Sequence, residues 1–176
     1  LVGYNFRLGE VEAAIGLEQL KKLDNLLSEK QKRVAKLSRK INDLPGLTLP
    51  VVADNRDHSY YIFGMQIDPT IAGVSCDLIS DALNAEGLPV NSSYQNIHLL
   101  PMYQKKMAYG SKGFPWTSEI CKREVRYDKG ICPNAEKLND EFYLGLNTCA
   151  LELVDGDIDL IVNAFQKVWS GLEHIS

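Results

Sequence analysis

No apolar run in these 176 residues approaches the roughly 18 that a membrane-spanning helix needs, and no signal peptide is visible. There is no basic excess either. The formal net charge is -4 and the pI about 5.4, which argues against nucleic acid as a partner, because phosphate-backbone binders carry surplus Lys and Arg. The four cysteines, Cys76, Cys121, Cys132 and Cys149, form no C-x-x-C pair and no zinc spacing with the three histidines. Free thiols in a reducing compartment are expected, with no metal. Asn91-Ser92-Ser93 is formally a glycosylation sequon without secretory context. Internal repeats and low-complexity linkers are lacking. Methionine is absent before Met65, so the sequence is expected to be a piece of a longer chain. These absences leave a soluble, cytoplasmic protein as the expectation.

What is present is ordinary globular composition, 45% apolar and 24% charged, enough for one sizeable core. Val11, Ala14, Ile15, Leu17 and Leu20 recur at helical steps after Arg7, with Glu10 and Glu12 in the first turn. A second helix is expected from about Asn25, with Leu27, Val34, Leu37, Ile41 and Leu44 along one seam, stopping before Pro45-Gly46. Its basic run from Lys30 to Lys40 reads as a solvated face. The period then changes. LTLPVV and SYYIFGMQID read as strands, the latter with Tyr61, Phe63, Met65 and Ile67 on one side.

SCDLISDALNAEG predicts a helix ending at Gly87, with Leu78, Ile79 and Leu83 inward, and LPVNSSY a further strand. The stretch from about Pro101 to Tyr127 is expected to be irregular. A short helix should start near Pro133, and a last helix should run from about Asp157 to Leu172 with Asp155 as its cap. Ile158, Ile161, Phe165, Val168 and Leu172 would form its buried stripe. The expected class is α+β, with one small antiparallel-rich sheet of three or four strands covered by helices.

The opening run GYNFRLGEVEAAIGLEQL places an amide, Asn5, and a guanidinium, Arg7, just ahead of the first helix. A helix start favours anions, and an amide together with a planar Arg fork suits phosphate or carboxylate. Spacing alone favours local capping or pairing, because Asn-x-Arg is common. The order of the whole stretch weighs the other way. Gly3-Tyr4-Asn5-Phe6-Arg7, Ala13-Ala14, Gly16, Gln19-Leu20 and Leu23-Asp24 resemble the pattern of the DegT/DnrJ/EryC1/StrS family of pyridoxal-phosphate sugar aminotransferases. DHSYYIFGMQID, SYQNIHLLPMY, CPNAEKLND and VDGDIDLIVNAFQKV resemble later family segments, and KKMAYGSKGFPW is similar to a lipopolysaccharide-sugar subgroup. Gly9-Glu10 departs from a family preference for Ser, Thr or Pro before the acid, although glycine still serves as a cap.

The resemblance implies that residues 1–24 end the large, cofactor-binding domain of a type I fold and that 25–176 form its C-terminal small domain. It implies pyridoxal 5'-phosphate as cofactor, and transfer of nitrogen from glutamate or glutamine to a nucleotide-linked keto sugar in a homodimer with a shared site. Asn5 matches the position that reaches the cofactor phosphate of the neighbouring subunit, and Arg7 the position facing that shared site. Tyr94 and His98 match the substrate loop, though a satisfied loop histidine is an equal account of His98. His58, Tyr60 and Tyr61 read as structural. The Schiff-base lysine would lie upstream, and none of this chain's lysines has a matching context, so no catalytic residue is assigned here. Two alternatives remain at this point: a dehydratase of the same family, with histidine in place of that lysine, and a non-catalytic dimerisation or regulatory domain using the Leu27 to Leu44 seam.

Overall fold

The computed structural model describes residues 7–110, 112–148 and 153–175. Its centre is a four-stranded antiparallel sheet in the order β1-β2-β4-β3: β1 Leu47–Thr48, β2 Phe63–Ile67, β3 Val90–Asn91 and β4 Tyr143–Leu146. Phe63 pairs with Leu146 and Met65 with Leu144, so the inward residues of the two central strands meet across the ladder. Helix α1 spans Glu10–Leu20, α2 Leu23–Ile41, α3 Pro69–Ala72, α4 Cys76–Ala85, α5 Pro101–Gln104, α6 Pro133–Lys137 and α7 Asp155–Ser170. The α+β architecture expected from the sequence is the one found.

One face of the sheet is covered by α2, α4 and α7. Val34, Leu37 and Ile41 from α2, Ile79 and Leu83 from α4, and Ile158, Ile161, Phe165 and Val168 from α7 join Phe63, Met65, Ile67, Leu144 and Leu146 in a single core. The Val34, Leu37 and Ile41 part of the α2 seam is therefore spent inside the core. Trp169 stacks on Phe165 with ring centroids 5.7 Å apart and donates its indole N–H to the Pro45 carbonyl at 2.9 Å, which ties the end of α7 to the turn after α2. On the outer rim Lys36 and Lys40 bracket Asp159 at 3.1 and 2.7 Å, a solvent-facing pairing that aligns α2 with α7 more than it stabilises them.

The turn from α2 into β1 depends on Gly46. Its φ of +76° lies in the left-handed region, its carbonyl accepts from Asp68 N–H at 2.8 Å, and a Cβ there would meet Ala72 N and Asp68 O at 2.9 Å. We expect Gly46→Ala to destabilise the fold by about 1–3 kcal/mol, measured as a lower denaturant midpoint in the full-length protein; an unchanged midpoint would show that the turn relaxes.

Several expectations need correction. Tyr61 was expected inward with Phe63, yet it is 68% exposed. The cause is Tyr60, whose φ of +51° breaks the alternation one residue before Tyr61. His58 supports this kink: its Nδ1 accepts from Tyr60 N–H at 2.7 Å and its ring stacks on the Tyr60 ring at 4.2 Å. Helix α7 starts at Asp155, not Asp157, and Asp157 supplies the cap by accepting from Val154 N–H at 2.7 Å. LTLPVV contributes only two strand residues. Most consequential, YLGL forms a central strand, β4, where the sequence suggests only a short helix within CPNAEKLNDEFYLGL.

Helix α1 forms as its periodicity predicts but buries nothing. Val11, Ile15, Leu17 and Leu20 are all exposed. No helix among the described residues is long and apolar enough to cross a membrane.

Candidate functional site

Two places carry polar chemistry: the head of α1, and a lobe between β3 and β4 that contains the 101–127 segment. Asn5 lies outside the described residues. Arg7 is exposed, two residues before the Gly9 cap of α1. The Glu12 carboxylate folds back over Gly9. With Glu10 also in the first turn, the helix end itself is already answered by negative charge. An anion brought here would be met by the donors ahead of the helix, of which Arg7 is one.

The second place is built on α6 and an unusual connection. Pro133 opens α6, and the chain then loosens into one π-helical turn, Leu138–Phe142, before entering β4. Turns of this kind insert an extra residue and re-aim side chains. Asn139 donates to Asn96 Oδ1 at 3.0 Å, and Asn96 Nδ2 donates to Asp140 at 2.8 Å. Lys129 donates to the other Asp140 oxygen at 2.8 Å. The loop carrying His98 is thus pinned two residues upstream of the histidine. His98's own carbonyl accepts from Gln104 Nε2 at 2.8 Å, and the same amide reaches the Tyr127 carbonyl at 2.6 Å.

The His98 ring is held more firmly still. Its Nε2 lies 2.8 Å from Glu136 Oε1, and the two side chains are 10% and 8% exposed. Glu136 also accepts from Gly130 N–H at 2.8 and 2.7 Å and from Cys132 N–H at 3.2 Å. Burial works to raise the Glu136 carboxyl; the Gly130 and Cys132 N–H groups and His98 overcome it and hold the group below its ordinary 4.5. Because the folded value is lowered, the stabilisation is full above 4.5 and is lost as pH falls through that lowered value. We expect acidification to loosen this lobe first, read as a pH-dependent change in Trp116 fluorescence in a Trp169→Phe background and flattened in Glu136→Gln. A profile identical in both backgrounds would refute it.

Trp116 reports on this lobe because its Nε1 donates to the Tyr127 hydroxyl at 2.9 Å, and the Tyr103 ring lies 5.2 Å from Tyr127. The 101–127 segment has little regular structure, as expected, but it is anchored by this aromatic group. Tyr94 is 53% exposed, edge-on to Tyr143 at 6.3 Å, and lines an open cleft of about 530 Å³ with Ser93, Gln95 and Ile97. The structure brings Tyr94 and His98 onto one pinned segment and places Arg7 on another, at the head of α1. Glu136, Asn96 and Asp140 were missed. The available signal was an acid on a short helix after Pro133, four residues beyond Cys132.

Cys76 is chemically quiet: it is buried, its Sγ donates to the Tyr143 carbonyl at 3.1 Å, and burial pushes the thiol up to about 12. Among the described residues no group of three or more His, Cys, Asp or Glu side chains could hold a metal ion.

The model of the DegT/DnrJ/EryC1/StrS aminotransferase family matches residues 1–136, more than three quarters of the chain. The chain belongs to that family. Spore coat polysaccharide biosynthesis protein SpsC of Bacillus subtilis is 30% identical over 124 residues, which is 70% of this chain and 32% of SpsC. Among solved structures, DesV of S. venezuelae superposes with a TM-score of 0.69 at 21% identity, over 93% of this chain and 37% of its own. PseC of Helicobacter pylori, an aminotransferase involved in the biosynthesis of pseudoaminic acid, gives 0.68 at 21% identity, over 97% and 40%. At such identities the likeness establishes the fold, which is that of part of a type I aminotransferase. The chain spans about a third of the length of SpsC and two fifths or less of these two structures. Arg7, Tyr94, His98 and Glu136 all fall within the residues that the DegT/DnrJ/EryC1/StrS family model matches, whereas Asn139 and Asp140 lie just beyond them.

Proposed function

We propose that this chain is part of a pyridoxal-phosphate-dependent sugar aminotransferase that moves an amino group from glutamate or glutamine to a nucleotide-linked keto sugar, in the cytoplasmic synthesis of surface polysaccharide. The family match over residues 1–136 carries the reading. SpsC, named for spore coat polysaccharide biosynthesis, and PseC, named for pseudoaminic acid biosynthesis, support a sugar acceptor. The proposed division makes 1–24 the end of the cofactor-binding domain and 25–176 the small domain. In keeping with it, α1 exposes its apolar residues while α2 joins the core.

The donor set fits the cofactor's anionic end. Arg7 is exposed and offers a planar fork suited to phosphate, and Asn5, two residues earlier, adds an amide. We assign both to the phosphate held in the neighbouring subunit of a homodimer. When bound, pyridoxal phosphate supplies an electron sink that makes the donor's Cα–H bond labile. This chain's residues bind and orient: Arg7 and Asn5 fix the phosphate, while Tyr94 and His98 face the sugar from their pinned loop. The Schiff-base lysine is assigned to the segment upstream.

The test is turnover by the full-length protein. Pyridoxal phosphate with glutamate or glutamine should give an absorbance change that a nucleotide-linked keto sugar reverses. Deoxygenated product in place of aminated product would make the protein a dehydratase, and absence of any spectral change would end the enzymatic reading.

A further inference from the structure

We propose that Glu136 is a positioning residue that locks His98 with its proton on Nε2, leaving Nδ1 as the hydrogen-bond acceptor offered to a hydroxyl of the acceptor sugar. The inference rests on the functional reading above and assigns the chemistry of one atom within it. The nearly buried pairing of the His98 ring with a carboxylate that already collects backbone N–H groups points to it.

Both Glu136 oxygens take the Gly130 N–H, and Oε1 also takes that of Cys132. An ionised carboxylate only accepts, so a ring nitrogen 2.8 Å from Oε1 must bring the proton. Nε2 therefore carries a proton, and whenever the ring is neutral its tautomer is set by this carboxylate partner. The other nitrogen, Nδ1, makes no hydrogen bond with any described residue and is not among the atoms sealed from solvent. In the neutral ring it keeps its lone pair.

Orientation is fixed as well as protonation. Asn96 is tied to both Asn139 and Asp140, and the His98 carbonyl is tied to Gln104, so the backbone on either side of the ring is held while Glu136 holds its tip. A histidine needed only as packing would not require this. A keto sugar presents hydroxyls beside its carbonyl, and a fixed acceptor discriminates among them, because a preset polar group left unpaired penalises the wrong isomer.

The experiment uses full-length protein labelled with 15N-histidine, with His98 assigned by loss of its signals in His98→Asn. We expect ring shifts at pH 8 of a protonated Nε2 and a bare Nδ1, and a shift toward the opposite tautomer in Glu136→Gln, whose amide can donate where the carboxylate accepted. In steady state, Glu136→Gln should raise the KM for the keto sugar at least tenfold while the half-reaction with glutamate, followed by absorbance, stays within twofold. Should Glu136→Gln fold poorly, His98→Asn, which places an amide oxygen near the Nδ1 position, should retain a lower KM than His98→Gln. A proton on Nδ1 in the wild type overturns the inference, as does an unchanged KM in Glu136→Gln. Failure of the underlying aminotransferase reading looks different: wild-type protein showing no spectral response to pyridoxal phosphate and glutamate, whatever the His98 tautomer.

Discussion

Replacing Phe165 by alanine is expected to destabilise this fold by about 3–5 kcal/mol, the range for removing a fully buried aromatic side chain. Phe165 has no exposed surface, sits in the second half of α7, and stacks on Trp169, which in turn holds Pro45. Its loss therefore leaves a cavity and loosens the only aromatic link from α7 to the turn before β1 among the described residues. Phe165→Leu, which refills most of the volume, should lose less than half as much. The measurement is the denaturant midpoint of the full-length protein followed by Trp169 fluorescence, with Trp116→Phe as background. Equal losses for the two variants would mean that the stacking, not the volume, is what matters.

The second large effect belongs to function. On the proposal that Arg7 grips a phosphate, Arg7→Ala in the full-length enzyme should weaken cofactor retention by about 10- to 100-fold, since a charged hydrogen bond contributes about 1.5–3 kcal/mol. Arg7→Lys keeps the charge but not the two-pronged geometry and should recover only part of the loss. Because the phosphate is assigned to the neighbouring subunit, the defect should complement in trans. Mixed dimers of an Arg7→Ala protomer with one lacking the upstream lysine should regain one working site, whereas each parent homodimer stays impaired. No recovery on mixing would place Arg7 in its own subunit's site.

What the sequence made legible, and what it hid, follows from the range of the interactions involved. Helices α2, α4 and α7 declared themselves because apolar periodicity is a local signal and each buries one stripe. The period-2 pattern of FGMQI was equally clear, but Tyr61 was misplaced because a positive φ at a tyrosine leaves no mark in composition. YLGL was too short and too glycine-rich to read as a strand, and it became one only by pairing with β2, far away in the chain. In the candidate site, Arg7, Tyr94 and His98 could be nominated from motif order, whereas the role of Glu136 depends on Gly130, Cys132 and His98 converging on it. Convergence of that kind is a property of the folded chain. Helix α1 was legible as a helix, yet its apolar face says nothing by itself about what covers it.

The strand order has a consequence for biosynthesis. β2 and β3 have no common neighbour until β4 slots between them, and β4 is among the last parts of this sequence to be translated. A ribosome paused before residue 143 holds β2 with one open flank and β3 with no partner, two sticky margins waiting for the same insert. Completion of the sheet therefore waits for residues 143–146, and truncated products ending short of Leu146 are the species that chaperones would have to shelter.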